Sequence, residues 1–148
     1  MKQKFIDAHM NVAEVYAELS SAKRLQVGCV IVKDNTIIGS GYNGMPSGWD
    51  NNCEMVKHTD FTGTVVTVSK PEILHSETNA IAKVAKSTNS TEGATMFVTH
   101  APCLDCAKLI YQSGINSVYY RNSYRNDDGI DFLKKCEIEV CQVKPCNS

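Results

Sequence analysis

Four residues stand at spacings that could do chemistry together. "HSE" puts His75 two positions ahead of Glu77, and "PCLDC" puts Cys103 three positions ahead of Cys106. Three apart on the first turn of a helix, two sulfurs share one face, and a helix N-terminus favours thiolate over thiol. Two sulfurs and an imidazole nitrogen are ligands that Zn2+ prefers, and a catalytic zinc site uses three protein ligands with a fourth position left for water. In an ideal helix His75 and Glu77 would be turned about 200° apart. The conflict disappears if His75 caps the helix and Glu77 falls in its first turn, beside the water, as general acid and base. Alone, the Cys-x-x-Cys fits a redox pair or half of a structural metal site. A lone His-x-Glu says little. The joint pattern, His-x-Glu and then Pro-Cys-x-x-Cys after a helix and a strand, points to catalytic zinc.

The elements that must hold these residues follow from the hydrophobic period. Phe5, Ile6, Met10, Ala13, Tyr16 and Leu19 give residues 4–19 a helical spacing. "QVGCVIVKDNTIIGSGY" reads as a hairpin turning at Asp34-Asn35. "NGMPSGWDNN" is a Gly/Pro/Asn loop, and 50–72, with Gly63 and Pro71 and no clear period, reads as a long, partly irregular insertion. "HSETNAIAKVAK" and "PCLDCAKLIYQSG" are helices, the second ending at Gly114. "ATMFVTH", "NSVYY" and "EIEVCQV" are strands, with a short helix in "DGIDFLKKC". The order α-β-β-α-β-α-β-α-β predicts an α/β fold, a three-layer α/β/α sandwich around a five-stranded mixed sheet, with the later strands parallel.

Composition narrows the function. The 148 residues suit one domain and are 43% hydrophobic, enough for a core. Fifteen Lys and Arg against sixteen Asp and Glu argue against a nucleic-acid partner. They leave room for a small phosphorylated ligand. No apolar run spans a membrane, and "MKQKFIDAHMNVAEVY" lacks the continuous apolar stretch of a signal peptide. A cytoplasmic protein is expected. Seven cysteines, an odd number, do not suggest a disulfide framework. Cys136, Cys141 and Cys146 read as ordinary thiols. Cys53 and His58 could begin a second, structural zinc site, but no second ligand pair lies nearby. His9 and His100 read as structural, with His100 close enough to Pro102-Cys103 to border a pocket.

The stretches "RLQVGCVIV", "GSGYNGMPSG", "HSETNAI" and "GATMFVTHAPCLDCAKLIYQSGI", with a closing "IEV", resemble the deoxycytidylate (dCMP) deaminase family, within the zinc-dependent cytidine deaminase superfamily. The "GYNGMPSG" loop separates this resemblance from cytidine, cytosine and tRNA adenosine deaminases. One departure is Ser76, where the family usually has alanine. The resemblance implies a single cytidine deaminase-like domain over 1–148. His75, Cys103 and Cys106 would bind zinc, and Glu77 would shuttle protons as dCMP becomes dUMP and ammonia. Asn43 would contact the sugar or base, Arg24 the phosphate, and Tyr124 would close over the nucleotide. It further implies a homo-oligomer, often a hexamer, supplying dUMP for thymidylate synthesis. Activation by dCTP and inhibition by dTTP, each with Mg2+, would act at a nucleotide site near Gly41, Tyr42, Asn43 and Gly44. Competing readings are a deaminase of cytidine or of tRNA adenosine, and a non-catalytic protein with a structural zinc closed by a fourth ligand.

Overall fold

The computed structural model describes residues 1–145; Cys146 lies outside them. Helix α1, Gln3–Ala17, leads into strands β1, Gly28–Lys33, and β2, Thr36–Tyr42. Asp34 and Asn35 join these strands with φ of 50° and 59°, the left-handed pair that a two-residue hairpin turn requires. After an excursion the chain enters α2, Ser76–Ala85. It then runs through β5, Thr95–His100; α3, Leu104–Gln112; β6, Ser117–Asn122; α4, Asp128–Lys135; and β7, Glu139–Gln142. Gly114 ends α3 at φ 83°.

The sheet order is β2-β1-β5-β6-β7. β1 is antiparallel to both β2 and β5, whereas β5, β6 and β7 run parallel through the α3 and α4 crossovers. The expected five-stranded mixed sheet is therefore present, and both its faces are covered. Val30, Val32, Phe97 and Tyr119 pack against Ile6, Met10 and Ala13 of α1. The alternate residues Cys29, Ile31, Met96, Val98 and Val118 pack against Ala80 and Val84 of α2, Ala107 and Ile110 of α3, and Leu133 of α4. Burial on both faces is why β1 and β5 read as apolar runs rather than as alternating strands.

The excursion is more regular than the partly irregular insertion expected at 50–72. It holds a second sheet, β3, Glu54–Thr59, antiparallel to β4, Val65–Ser69. Its turn is organised by Asp60, whose Oδ1 accepts from the backbone N–H groups of Thr62 and Thr64, both at 2.9 Å. The excursion is pinched at its base. Gly44 N–H donates to Leu74 O at 3.1 Å, and Leu74 N–H returns a bond to Gly44 O at 2.8 Å.

The six described cysteines are free. Among the described residues, no helix is long and apolar enough to cross a membrane.

Candidate active site

His75 and Cys103 occupy equivalent places at the starts of α2 and α3. Both are N-cap residues with extended backbone, φ −75°, ψ 155° for His75 and φ −69°, ψ 170° for Cys103. Neither side chain caps its own helix, so both are free to point elsewhere. His75 Nδ1 lies 3.3 Å from Cys106 Sγ and 3.7 Å from Cys103 Sγ, and all three donor atoms fall within 4.8 Å of one another. Tetrahedral zinc with bonds of about 2.0–2.3 Å sets its ligand atoms roughly 3.5–3.8 Å apart, so the donor set fits that ion.

The proton distribution points the same way. Hydrogen bonds from Cys106 and then His75 hold the Cys103 thiol down at about 4, while donating to Cys103, together with burial, pushes Cys106 up. His75 is raised chiefly by its hydrogen bond to Cys103. Cys and His ligands give up their protons on binding metal, so these shared hydrogen bonds would be exchanged for bonds to the ion.

With His75 at the cap, Glu77 enters the first turn of α2 and is only 4% exposed. Burial raises its pKa above the usual carboxylate range. Ser76 is fully buried and donates its Oγ to Glu77 Oε2 at 3.0 Å, a bond that alanine could not make.

A cavity of about 500 Å³ opens above this cluster, with His75, Glu77 and Cys103 among its lining residues. Arg24, Asn43 and Tyr124 line it too, so the structure gathers every expected metal, acid–base and substrate residue except Cys106 onto its wall, and Cys106 lies directly behind with the other two donors. Arg24 is exposed, while the Arg125 guanidinium sits 5.9 Å from the centre of the Tyr124 ring. Asn43 is 9% exposed; its Oδ1 accepts from Val27 N–H at 2.9 Å and its Nδ2 donates to Leu25 O at 2.7 Å. These bonds fix segment 25–27 and leave one Nδ2 proton for a ligand. His100 also borders the cavity. His9 is structural, tilted on Phe97 and bonded to Asn35.

The sequence reading missed Glu54, Ser69, Asn122 and Arg125, which all line the cavity. Glu54 and Ser69 are paired across β3 and β4, so the signal lost with the hairpin was also a signal for the site. Among the described residues, no second group of three possible metal ligands is found; Cys53 is buried and His58 exposed.

Residues 41–44, where the resemblance implies an effector nucleotide, are bonded within the protein: Asn43 N–H bonds Val27 O and Gly44 N–H bonds Leu74 O, each at 3.1 Å. Tyr42 O is taken by Asn79 Nδ2 at 2.8 Å. At Gly41 a Cβ would overlap the Ser76 carbonyl and come within 2.7 Å of Ala80 N. Gly41 is small because α2 starts against it.

Comparison with known proteins agrees with the geometry. Residues 3–122 match the model for the cytidine and deoxycytidylate deaminase zinc-binding region. The deoxycytidylate deaminase of Enterobacteria phage T4 is 33% identical, the match covering 93% of this chain and 89% of that protein. The Homo sapiens deoxycytidylate deaminase is 35% identical over 80% of this chain and 65% of that protein. The crystal structure of dCMP deaminase from the cyanophage S-TIM5, in complex with dCMP and dUMP, superposes with a TM-score of 0.85 at 42% identity, covering 98% of this chain and 99% of that one.

Proposed function

The chain belongs to the cytidine and deoxycytidylate deaminase zinc-binding family, and from that premise we propose that it hydrolyses dCMP to dUMP and ammonia. The observation that carries this reading is a three-donor metal cluster beside a buried Glu77, opening into a cavity of about 500 Å³ that has arginines on its wall. That volume falls in the usual range for small-molecule sites, and the likeness to a dCMP deaminase seen with dCMP and dUMP supports the substrate.

His75 Nδ1, Cys103 Sγ and Cys106 Sγ would hold zinc, which would supply Lewis acidity to activate water. Glu77 accepts a proton from the attacking water and delivers it to ring nitrogen N3. It then carries a second proton to the departing amine at C4. Burial suits Glu77 to this shuttle, because raising its pKa brings its acid and base forms closer in free energy near neutral pH. Ser76 fixes one carboxylate oxygen while the proton moves. Asn43 offers its remaining Nδ2 proton to sugar or base, Tyr124 covers the nucleotide, and Arg24 receives the phosphate in a fork that suits oxyanions.

The finer reading is a cytoplasmic homo-oligomer, hexameric by resemblance, that supplies dUMP for thymidylate synthesis. It is activated by dCTP and inhibited by dTTP with Mg2+. Sequence resemblance supports this control. The hydrogen bonding at 41–44 moves any triphosphate contact away from the Asn43 and Gly44 N–H groups. Free cysteines throughout the described residues support a reducing compartment.

The test is an initial-rate comparison of dCMP with deoxycytidine at equal, subsaturating concentration. dCMP should react far faster, since a phosphate site left without its ligand loses binding energy in the transition state. Equal rates would point to a nucleoside deaminase and leave Arg24 without a role.

A further inference from the structure

The sequence holds one Asn-Gly pair, Asn43-Gly44, and that dipeptide is a chemical liability. Glycine has no side chain to shield its amide nitrogen, so in a flexible chain the Gly44 nitrogen can attack the side-chain carbonyl carbon of Asn43. A bond forms between Gly44 N and Asn43 Cγ, the Cγ–Nδ2 bond breaks, and Nδ2 leaves as ammonia with the Gly44 amide proton. Water then opens the five-membered imide at either carbonyl. One opening leaves aspartate, and the other leaves isoaspartate, with the main chain rerouted through the side chain.

In the fold every group that this reaction needs is engaged. Gly44 N–H, the nucleophile, donates to Leu74 O at 3.1 Å, and Leu74 N–H returns a bond to Gly44 O at 2.8 Å. The target amide is held at both ends, Oδ1 by Val27 N–H at 2.9 Å and Nδ2 on Leu25 O at 2.7 Å. Asn43 N–H is bonded to Val27 O at 3.1 Å, so backbone and side chain alike are laced to the segment ahead of β1. Only 9% of Asn43 is exposed, which limits the water as well.

We infer that Asn43-Gly44 is a latent deamidation site, kept closed by the Gly44–Leu74 pinch and by segment 25–27. Each opening of the pinch exposes the protein to an irreversible change at Asn43. Aspartate there turns a donor into an acceptor against Leu25 O and removes the Nδ2 proton offered to substrate. Isoaspartate also adds a carbon to the main chain just after β2. The site itself stands whatever the substrate is; the loss of turnover that follows its reaction rests on the dCMP reading.

The test ages zinc-loaded protein, and the same chain unfolded in urea, at one pH and temperature, and reads deamidation at each asparagine by peptide mapping. Exposed Asn89, followed by Ser90, is the internal standard. Unfolded, Asn43 should react faster than Asn89, because serine shields its nitrogen where glycine does not. Folded, Asn43 should slow at least about tenfold, a factor that the two bonds of the pinch suffice to supply, and should fall behind Asn89. Hydrogen exchange at the Gly44 amide reports release of the same N–H, so with rising urea it should climb in step with deamidation at Asn43. Gly44→Ala should slow the unfolded reaction. Asn43→Asp, the product made directly, should lose at least about tenfold in kcat/KM for dCMP while zinc is retained. Equal rates at Asn43 folded and unfolded, or rates that do not follow Gly44 exchange, would overturn the guarded site. Wild-type turnover by Asn43→Asp would overturn the inactivation. A wild-type protein inert towards dCMP, yet still guarded at Asn43, would overturn the deaminase reading and leave the site standing.

Discussion

Substituting Gly41 and Gly44 by alanine should move stability in opposite directions, although the two glycines are three residues apart in one stretch. At Gly41 the added Cβ overlaps the Ser76 carbonyl, comes within 2.7 Å of Ala80 N and lies 3.1 Å from Asn79 Cβ. Two of these neighbours are backbone atoms at the start of α2, which cannot rotate away. Overpacking of this kind costs about 1–3 kcal/mol. Gly→Ala returns about 0.4–1 kcal/mol by restricting the unfolded chain. The net for Gly41→Ala is a loss of about 1–2 kcal/mol, or roughly 2–8 °C in Tm for a chain of this size. At Gly44 the added Cβ meets only a Tyr42 ring carbon at 3.9 Å, so the entropic gain stands alone and Gly44→Ala should gain about 0.4–1 kcal/mol. Because the clash lies against the residue after His75, Gly41→Ala should also lower zinc content, whereas Gly44→Ala should not. Urea unfolding of zinc-loaded protein, with metal analysis of each variant, reads all of this. Two variants shifted in the same direction would refute the packing argument and return Gly41 to the role of a ligand-approach glycine.

Glu77→Gln should cut turnover of dCMP by at least about 10²–10⁴-fold while zinc is retained, because an amide cannot shuttle protons; His75→Ala should lose the metal as well. Near-normal rates for Glu77→Gln would contradict the mechanism. Arg24→Ala should lower kcat/KM for dCMP by about tenfold to hundredfold and leave deoxycytidine unchanged. An equal loss on both would mean that Arg24 does not meet the phosphate. For regulation, initial rates against dCMP with Mg2+ should shift leftward with dCTP and fall with dTTP. Curves that ignore both triphosphates at millimolar levels would describe a deaminase without this feedback.

The metal cluster was legible because its residues carry chemistry in their types and because one geometric conflict had a single resolution. His75 and Glu77 can serve one site only if the helix begins between them, and α2 begins at Ser76. The five-stranded sheet was legible from β1 and β5, whose apolar runs reflect cover on both faces. The hairpin escaped because its strands lack such cover: in β3 every residue after Glu54 is exposed, and β4 is buried only in part. With little core to face, they carry no clean period. The signals were there in the β-branched run "TVVTVS" and in Asp60 ahead of Thr62 and Gly63, a turn with a mechanism. Ser76 looked like a minor departure in sequence, since nothing in one dimension says that its hydroxyl points at Glu77.

The pinch between Gly44 and Leu74 separates the length of the excursion from the geometry of everything outside it. Two hydrogen bonds close its base just ahead of His75, so the path into α2 is set whatever lies beyond them. Loop-closure entropy rises slowly with length, by about 0.6 kcal/mol per doubling. Residues can therefore be inserted or removed in the excursion at small cost to the sheet and without displacing a metal donor. The same excursion carries Glu54 and Ser69 onto the cavity wall. Evolution, or a designer, can thus recut this wall of the cavity by splicing a different hairpin onto an unchanged neck, keeping the donor cluster and Glu77 as a fixed chassis.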